Sequence, residues 1–214
     1  MSSAPDAAPV FRASDVLPRI AVLGNPNTGK TTLFNRLCGV RARTANFPGS
    51  TVESRVGVHR AGDRDEFHLV DLPGTYSLTL DLPESRIARD CLEGRLDGFH
   101  PDAMLIVVDA TNLRRNLQFA AQALVHPLPA VLAVNMTDRA KDQGLDIDAT
   151  ALSQRLGCPV VLVSARTGLG MAALDVALDT VAEAPLDNDA LLARRAKLPP
   201  AETPVPQLAQ WAGT

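Results

Sequence analysis

The chain has 214 residues, enough for one good-sized domain with a small appendage, and its hydrophobic content of 46% can fill a core. Aromatic residues make up only 4%, so that core is expected to be mostly Val, Leu, Ile and Ala. The net charge of −3 argues against a nucleic-acid-binding surface.

In chain order, residues 1–18 read as a flexible lead rich in Ala, Pro and Ser. Ile20-Ala21-Val22-Leu23 is a strand candidate, and Gly24-Asn25-Pro26-Asn27-Thr28-Gly29-Lys30-Thr31 follows it directly. That run fits G-x-x-x-x-G-K-[ST], the phosphate-binding loop of nucleotide triphosphatases. Thr32 to Cys38 has helical character and stops at Gly39. Strand, glycine loop and helix are the context the motif requires. Gly24 and Gly29 let successive backbone N–H groups turn inward to phosphate oxygens, and the helix adds its positive end. Lys30 can reach the outer phosphates, and the Thr31 hydroxyl can ligate Mg²⁺.

Residues 39–50 show no apolar period and read as a long loop. Thr51 to His59 and Phe67 to Val70 read as two strands of a hairpin turning through Gly62-Asp63. Asp71-Leu72-Pro73-Gly74 ends the second strand and fits D-x-x-G, in which the Asp can hold Mg²⁺ through water and the Gly can offer its N–H to the terminal phosphate. A second loop runs to Pro83, and Glu84 to Leu96 reads as a helix. Strands are then expected at Ala103 to Val108, Ala130 to Val134 and Pro159 to Val163, with helices at Leu113 to Val125, Asp148 to Leu156 and Met171 to Ala184. Continuous apolar strands between amphipathic helices imply a mostly parallel sheet covered on both faces, with ligands at the carboxyl ends of its strands.

Two further motifs sit at such ends. Asn135-Met136-Thr137-Asp138 resembles the guanine-reading N-K-x-D, with Met136 in place of the lysine. A carboxylate at Asp138 can accept the ring N–H and exocyclic amine of guanine together, a donor pair that adenine lacks. Asn135 can tie this segment to the phosphate loop. Ser164-Ala165-Arg166 matches the S-A-[K] turn whose backbone N–H groups meet the guanine carbonyl. Ras-like proteins carry a water-orienting Gln after D-x-x-G, but here that position is Thr75, and no arginine finger can be identified. Slow intrinsic hydrolysis, or help from a cation, a partner or main-chain groups, is expected.

Taken together, these segments resemble the N-terminal G domain of FeoB, the bacterial ferrous iron transport family, over residues 19–184. The resemblance rests on Gly24 to Asn35, on Asn46-Phe47-Pro48-Gly49-Ser50-Thr51-Val52-Glu53, on Asp71 to Leu78, on Val108 to Leu117 and on the guanine motif with Met136. It implies an α/β, Ras-like P-loop G domain with a six-stranded, mostly parallel sheet, one antiparallel strand and helices on both faces. It implies Mg²⁺-dependent GTP hydrolysis coupled to iron(II) uptake through a membrane portion in cis or in trans, and it leaves oligomerisation open. By spacing alone the threonines of the first loop are not separable; the resemblance assigns the switch ligand to Thr51. It places the catalytic roles on Asn27, Lys30, Thr51 and Gly74, and Mg²⁺ on Thr31, Thr51 and Asp71. It adds a potassium ion held by Asn27 where an arginine finger would reach. The nucleotide-contacting set extends to Thr32 and to Ala45, Asn46, Phe47, Pro48 and Gly49. Met136, usual in this family, fits weak nucleotide retention.

Ala45 and Ser50 stand where Gly and Val are more usual. Residues 185–214 offer one short helix candidate, Asp187 to Lys197, and a Pro/Ala-rich, disordered remainder from Leu198, where the family continues into a helical spacer and membrane helices. No apolar run is long enough to span a bilayer, so the chain as given is expected in the cytoplasm, or at the cytoplasmic face of the inner membrane if attached to a transporter. Cys38, Cys91 and Cys158 form no C-x-x-C pair and read as buried or half-buried thiols of a reducing compartment; the four histidines show no metal-site spacing. Two other readings stand beside the GTPase: a switch that signals to a partner with negligible hydrolysis of its own, and a GTPase of RNA or ribosome assembly, against which the acidic charge counts.

Overall fold

A computed structural model describes residues 17–39, 43–46, 53–61, 64–96 and 99–183, together with Asp189, Ala193, Arg194, Ala196 and Leu198. The elements are β1 (Arg19–Gly24), α1 (Lys30–Cys38), β2 (Arg43–Asn46), β3 (Glu53–Ala61), β4 (Arg64–Asp71), α2 (Pro83–Leu92) and β5 (Ala103–Asp109). A 3₁₀ turn (Ala110–Asn112) then leads into α3 (Leu113–Leu124), β6 (Ala130–Asn135), α4 (Thr137–Asp142), α5 (Ala149–Leu156), β7 (Val160–Leu162) and α6 (Met171–Ala182). The seven strands form one sheet in the order β2-β3-β4-β1-β5-β6-β7. Only β3 runs against the others, antiparallel to both β2 and β4.

The expected class holds: a mostly parallel sheet, a single reversed strand, and helices on both faces. The strand count is corrected from six to seven. The extra strand, β2, lies inside the stretch read as a long loop and pairs Arg43 with Val56 through to Asn46 with Glu53. Its four polar or small residues carry no apolar alternation, so nothing local marks it; the pairing partner creates it. The short helix α4 was likewise not expected. It follows Met136, which holds the left-handed conformation at φ 63.

Period-two alternation in the central strands feeds two cores. Ala21, Leu23, Met104, Ile106, Leu132 and Val134 pack with Phe119 and Leu117 of α3 and Leu156 of α5. Ile20, Val22, Leu105, Val107, Val131 and Ala133 pack with Leu33 and Phe34 of α1 and Leu174 and Leu178 of α6. Each large apolar side chain buried in this way contributes about 1.5–3 kcal/mol. Helix α5 begins as expected at an Asp cap, the Asp148 carboxylate accepting from the Ala151 N–H at 2.9 Å. Helix α2 ends at Leu92, earlier than the Leu96 expected, and Gly94 follows at φ 66.

The tail is not wholly detached. Arg194 is buried and donates to the carbonyls of His126 and Leu128, both at 2.9 Å. Leu198, expected to open the disordered remainder, is buried in the core shared with α3 and α5. All three cysteines are buried. Burial pushes the Cys158 thiol up to about 12; burial, and then the charge of Asp71, does the same to Cys38. Both stay protonated and inert at neutral pH. No described helix is long and apolar enough to cross a membrane.

The seam between α1 and β3 is tight. A Cβ at Gly57 would lie 2.6 Å from Cys38 Sγ and 2.8 Å from Cys38 Cβ. Gly57→Ala is therefore expected to cost about 1–3 kcal/mol by overpacking, a drop of about 2–10 °C in melting temperature. Thermal denaturation checks this, and an unchanged midpoint would mean that α1 can retreat freely.

Candidate functional site

The carboxyl ends of β1, β4, β6 and β7 bring the sequence motifs to one end of the sheet. Strand register sets the arrangement: Val22 lies opposite Asp71, and Asp109 opposite Asn135. The phosphate loop closes on itself through the Thr28 hydroxyl, which donates to the Asn25 carbonyl at 3.0 Å. Asn27 adopts a left-handed φ of 66, a conformation Asn tolerates better than most residues. Gly29 has φ 76, and a Cβ there would come 2.4 Å from Asn135 Nδ2. A glycine is required on both counts.

Lys30 opens α1 and is buried at 8% exposure. Its ammonium pairs with Asp71 Oδ1 and with the Leu72 carbonyl. The Thr31 hydroxyl donates to Asp71 Oδ2 at 3.1 Å. A cavity of about 310 Å³ opens over these groups, lined by Asn25, Pro26, Asn27, Gly29, Lys30, Thr31, Thr32 and Gly74. Its wall contains the buried Asn25 Oδ1, which has no hydrogen-bond partner among the described residues. The donor set fits Mg²⁺: a hydroxyl and a carboxylate side by side are hard oxygen ligands for a cation that keeps several waters.

Asp71-Leu72-Pro73-Gly74 docks onto the phosphate loop. A Cβ at Gly74 would meet Pro26 N at 3.1 Å, and the Thr75 N–H donates to the Gly24 carbonyl at 3.2 Å. The Thr75 hydroxyl lies 2.7 Å from Ser85 Oγ and donates to the Ser77 carbonyl at 3.2 Å. It is buried at 3% exposure and does not line the phosphate cavity. Gln122 of α3 accepts from the Ser77 hydroxyl and the Leu78 N–H, and Arg89 of α2 donates to the Leu78 carbonyl. The loop after D-x-x-G is thus tied to both helices.

The second half of the site is a cavity of about 200 Å³ lined by Gly29, Thr32, Asn135, Met136, Asp138, Arg139, Ser164, Ala165 and Arg166. It shares Gly29 and Thr32 with the first cavity, so the two lie side by side as the two halves of one cleft. Asn135, at 2% exposure, joins their walls. Its Nδ2 donates to the Thr28 carbonyl at 2.9 Å, and its Oδ1 accepts from the Ala165 N–H at 2.9 Å. Asp138 Oδ2 accepts from Arg166 Nη2 at 2.6 Å and Nε at 3.1 Å. That Arg166 hydrogen bond, the largest influence, holds the Asp138 carboxyl below the usual carboxylate range, with help from the Ser164 hydroxyl. The carboxylate stays ionised, as a reader of a planar N–H fork must.

Of the expected residues, Asn25, Pro26, Asn27, Gly29, Lys30, Thr31, Thr32 and Gly74 line the first cavity and Asn135, Met136, Asp138, Ser164, Ala165 and Arg166 the second, whereas Gly24, Thr28, Asp71, Leu72 and Pro73 line neither. Phe47, Pro48, Gly49 and Thr51 lie outside the described residues. Ala45 and Asn46 fall in β2, and their side chains are not described. The Ala165 N–H, expected to meet a base carbonyl, donates to Asn135 Oδ1 in this structure. Arg139 lines the cleft, and Arg36 donates to the Ala165 carbonyl; neither was singled out in the sequence. No local motif marks either one, since an arginine on a helix reads as a solvated face.

The family model described as ferrous iron transport protein B matches residues 18–178. Among curated relatives, the Fe(2+) transporter FeoB of Salmonella typhimurium is 44% identical over 160 residues, which is 75% of this chain and 21% of that protein. The FeoB of Escherichia coli strain K12 is 43% identical over the same shares. The chain thus spans about a fifth of the length of these relatives. Among solved structures, the cytosolic domain of the T. maritima FeoB iron transporter in its GMPPNP form is 37% identical, with a TM-score of 0.73, covering 79% of this chain and 66% of that one. A GDP-bound mutant of S. thermophilus NFeoB is 39% identical, with a TM-score of 0.71, covering 77% and 62%. The sheet, its loops and this match over most of the chain agree: the chain belongs to the ferrous iron transport protein B family and carries its N-terminal G domain.

Proposed function

We propose that this chain binds GTP and GDP and hydrolyses GTP with Mg²⁺, as the regulatory module of a ferrous iron transporter whose membrane portion lies outside it. The observation that carries the reading is the Asn135 side chain, which holds the phosphate loop and the base-side loop in one cleft. Asp138 at the far end supplies the guanine preference, because an adenine would leave that carboxylate without its donor fork. The relatives named above are FeoB transporters, and the solved domains carry GDP or GMPPNP, which supports the same assignment.

Lys30 and the phosphate-loop amides bind and orient the phosphates. Thr31, Asp71 through water, and Thr51 would hold Mg²⁺, which when bound offsets charge on the phosphate oxygens. Gly74 offers its N–H to the terminal phosphate. The ion pair of Lys30 with Asp71 is exchanged as phosphate takes the ammonium. Because the Thr75 hydroxyl is committed to Ser85 and Ser77, no side chain directly after D-x-x-G orients the attacking water. Asn27, which is exposed and lines the phosphate cavity, would hold potassium where an arginine finger would reach. The same Thr75 geometry favours a second reading, a partner-dependent switch with negligible hydrolysis alone.

Asp138→Asn is expected to abolish the preference for GTP over ATP, a loss of about 1.5–3 kcal/mol and so tenfold or more in affinity, measured by calorimetry. Equal affinities in the parent would end the guanine assignment. In the parent the preference should persist as pH falls through the ordinary carboxylate range, since the depressed Asp138 pKa keeps the group charged there; in Arg166→Ala it should fade at higher pH.

Lys30→Ala is expected to abolish productive triphosphate binding. Thr51→Ala should leave GDP affinity nearly unchanged while slowing hydrolysis, because that ligand engages only with the terminal phosphate present. Equal weakening of GDP and GTP binding in Thr51→Ala would remove its switch role.

For catalysis, single-turnover hydrolysis in matched potassium and sodium buffers is the decisive measurement. Potassium is expected to accelerate the parent, sodium not, and Asn27→Ala to lose the acceleration with little change in GTP binding. The same slow rate in both salts would favour the partner-dependent reading.

A further inference from the structure

The base-side loop, Ser164 to Leu169, closes on itself. The Ser164 N–H donates to the Leu169 carbonyl at 3.0 Å, the Gly168 N–H to the Ser164 carbonyl at 2.8 Å, and the Thr167 N–H to Ser164 Oγ at 3.2 Å. Such a loop moves as a unit unless something outside grips it. Asn135 takes the Ala165 N–H from the inner side. From the outer side, Arg36 Nε donates to the Ala165 carbonyl at 2.7 Å and Arg36 Nη2 to the Arg166 carbonyl at 3.1 Å. The two carbonyls match the planar guanidinium fork. Gly168 makes room for it: φ is 91 there, and a Cβ would come 3.0 Å from Arg36 Nη1.

Arg36 belongs to α1, the helix that begins at the phosphate loop. A closed circuit results, running from the Thr28 carbonyl through Asn135 to Ala165, through Arg36 into α1, and back to the phosphate loop. Arg36 lines neither half of the cleft, so it touches neither phosphates nor base. We propose that Arg36 is a positioning residue which clamps the base-side loop onto α1 and thereby sets how fast guanine nucleotide leaves. This rests on the reading of the cleft as a nucleotide site. Without the clamp, Ala165 and Arg166 are held from one side only, and the base wall opens more often. The phosphate side, where the chemistry occurs, is unchanged.

The test is release of N-methylanthraniloyl-GDP from the full chain, followed by stopped-flow fluorescence. Single-turnover GTP hydrolysis at saturation and thermal melting are measured beside it, for the parent, Arg36→Ala, Arg36→Lys and Gly168→Ala. Arg36→Ala is expected to release nucleotide about two- to tenfold faster, the range for the net loss of an ordinary solvent-accessible hydrogen bond. KM should rise in step while the saturated single-turnover rate stays put. Arg36→Lys keeps the charge near the end of α1 and should restore the melting temperature, but it should only partly restore release, because an ammonium cannot span both carbonyls as the fork does. Gly168→Ala displaces the guanidinium and should speed release with Arg36 still in place. Unchanged release in Arg36→Ala, or full restoration by Arg36→Lys, would overturn the clamp. A parent that fails to bind the GDP analogue would instead overturn the nucleotide reading itself.

Discussion

The site depends on one amide. Asn135 donates to the Thr28 carbonyl and accepts from the Ala165 N–H, so both ends of a buried side chain are satisfied by backbone. An aspartate could not donate, and would leave the Thr28 carbonyl unpaired in a dry environment, where that is costly. The same contact explains the demand at Gly29, whose missing Cβ leaves room for Asn135 Nδ2. The glycine of the phosphate loop therefore serves the loop-to-loop bond as well as the inward-turned amides.

Around that bridge the cleft carries its own charge balance. Lys30 and Asp71 are both buried and paired, and Thr31 shares the carboxylate. A buried pair of this kind gains little net stability, because desolvation offsets attraction. It does keep a cation and an anion in place beside the first cavity, the groups that the proposed phosphate and metal ion would take up, and exchanging partners costs less than exposing either charge alone. Loss of Asp71 would leave a buried ammonium with only a carbonyl for company.

The loop that follows Asp71 couples this chemistry to the body of the domain. Gln122 and Arg89 hold Ser77 and Leu78 to α3 and α2, and Thr75 is bound to Ser85 in α2. Arg115 of α3 also lies over the exposed Tyr76 ring, 4.7 Å from its centroid. Any shift of Gly74 toward or away from a phosphate pulls on these contacts. On the proposed reading, that would give nucleotide state a physical route to the helical face that carries α2 and α3.

The sequence by itself determined the family, the fold class and the candidate chemistry. Gly24 to Thr31, Asp71 to Gly74, Asn135 to Asp138 and Ser164 to Arg166 are short segments whose residue types and spacing are tied to phosphate, metal and guanine, and each stands at a strand end that its own apolar run predicts. The central strands and long helices were equally legible, because burial on one or two faces writes a period into local composition. Tertiary structure alone decided what depends on distant partners. Strand β2 exists through its pairing with β3. Leu198 is held in the core, although the composition from there on reads as disordered, and Arg194, in the short helix candidate before it, finds carbonyls 68 and 66 residues away. The Thr75 hydroxyl is consumed by a serine ten residues on. Arg36 reaches a carbonyl 129 residues away, and Asn135 reaches one 107 residues away. A hydrogen bond between side chain and backbone leaves no trace in the composition around either end, since any residue offers the same carbonyl. Which carbonyl is met is settled only when the sheet brings the two segments together.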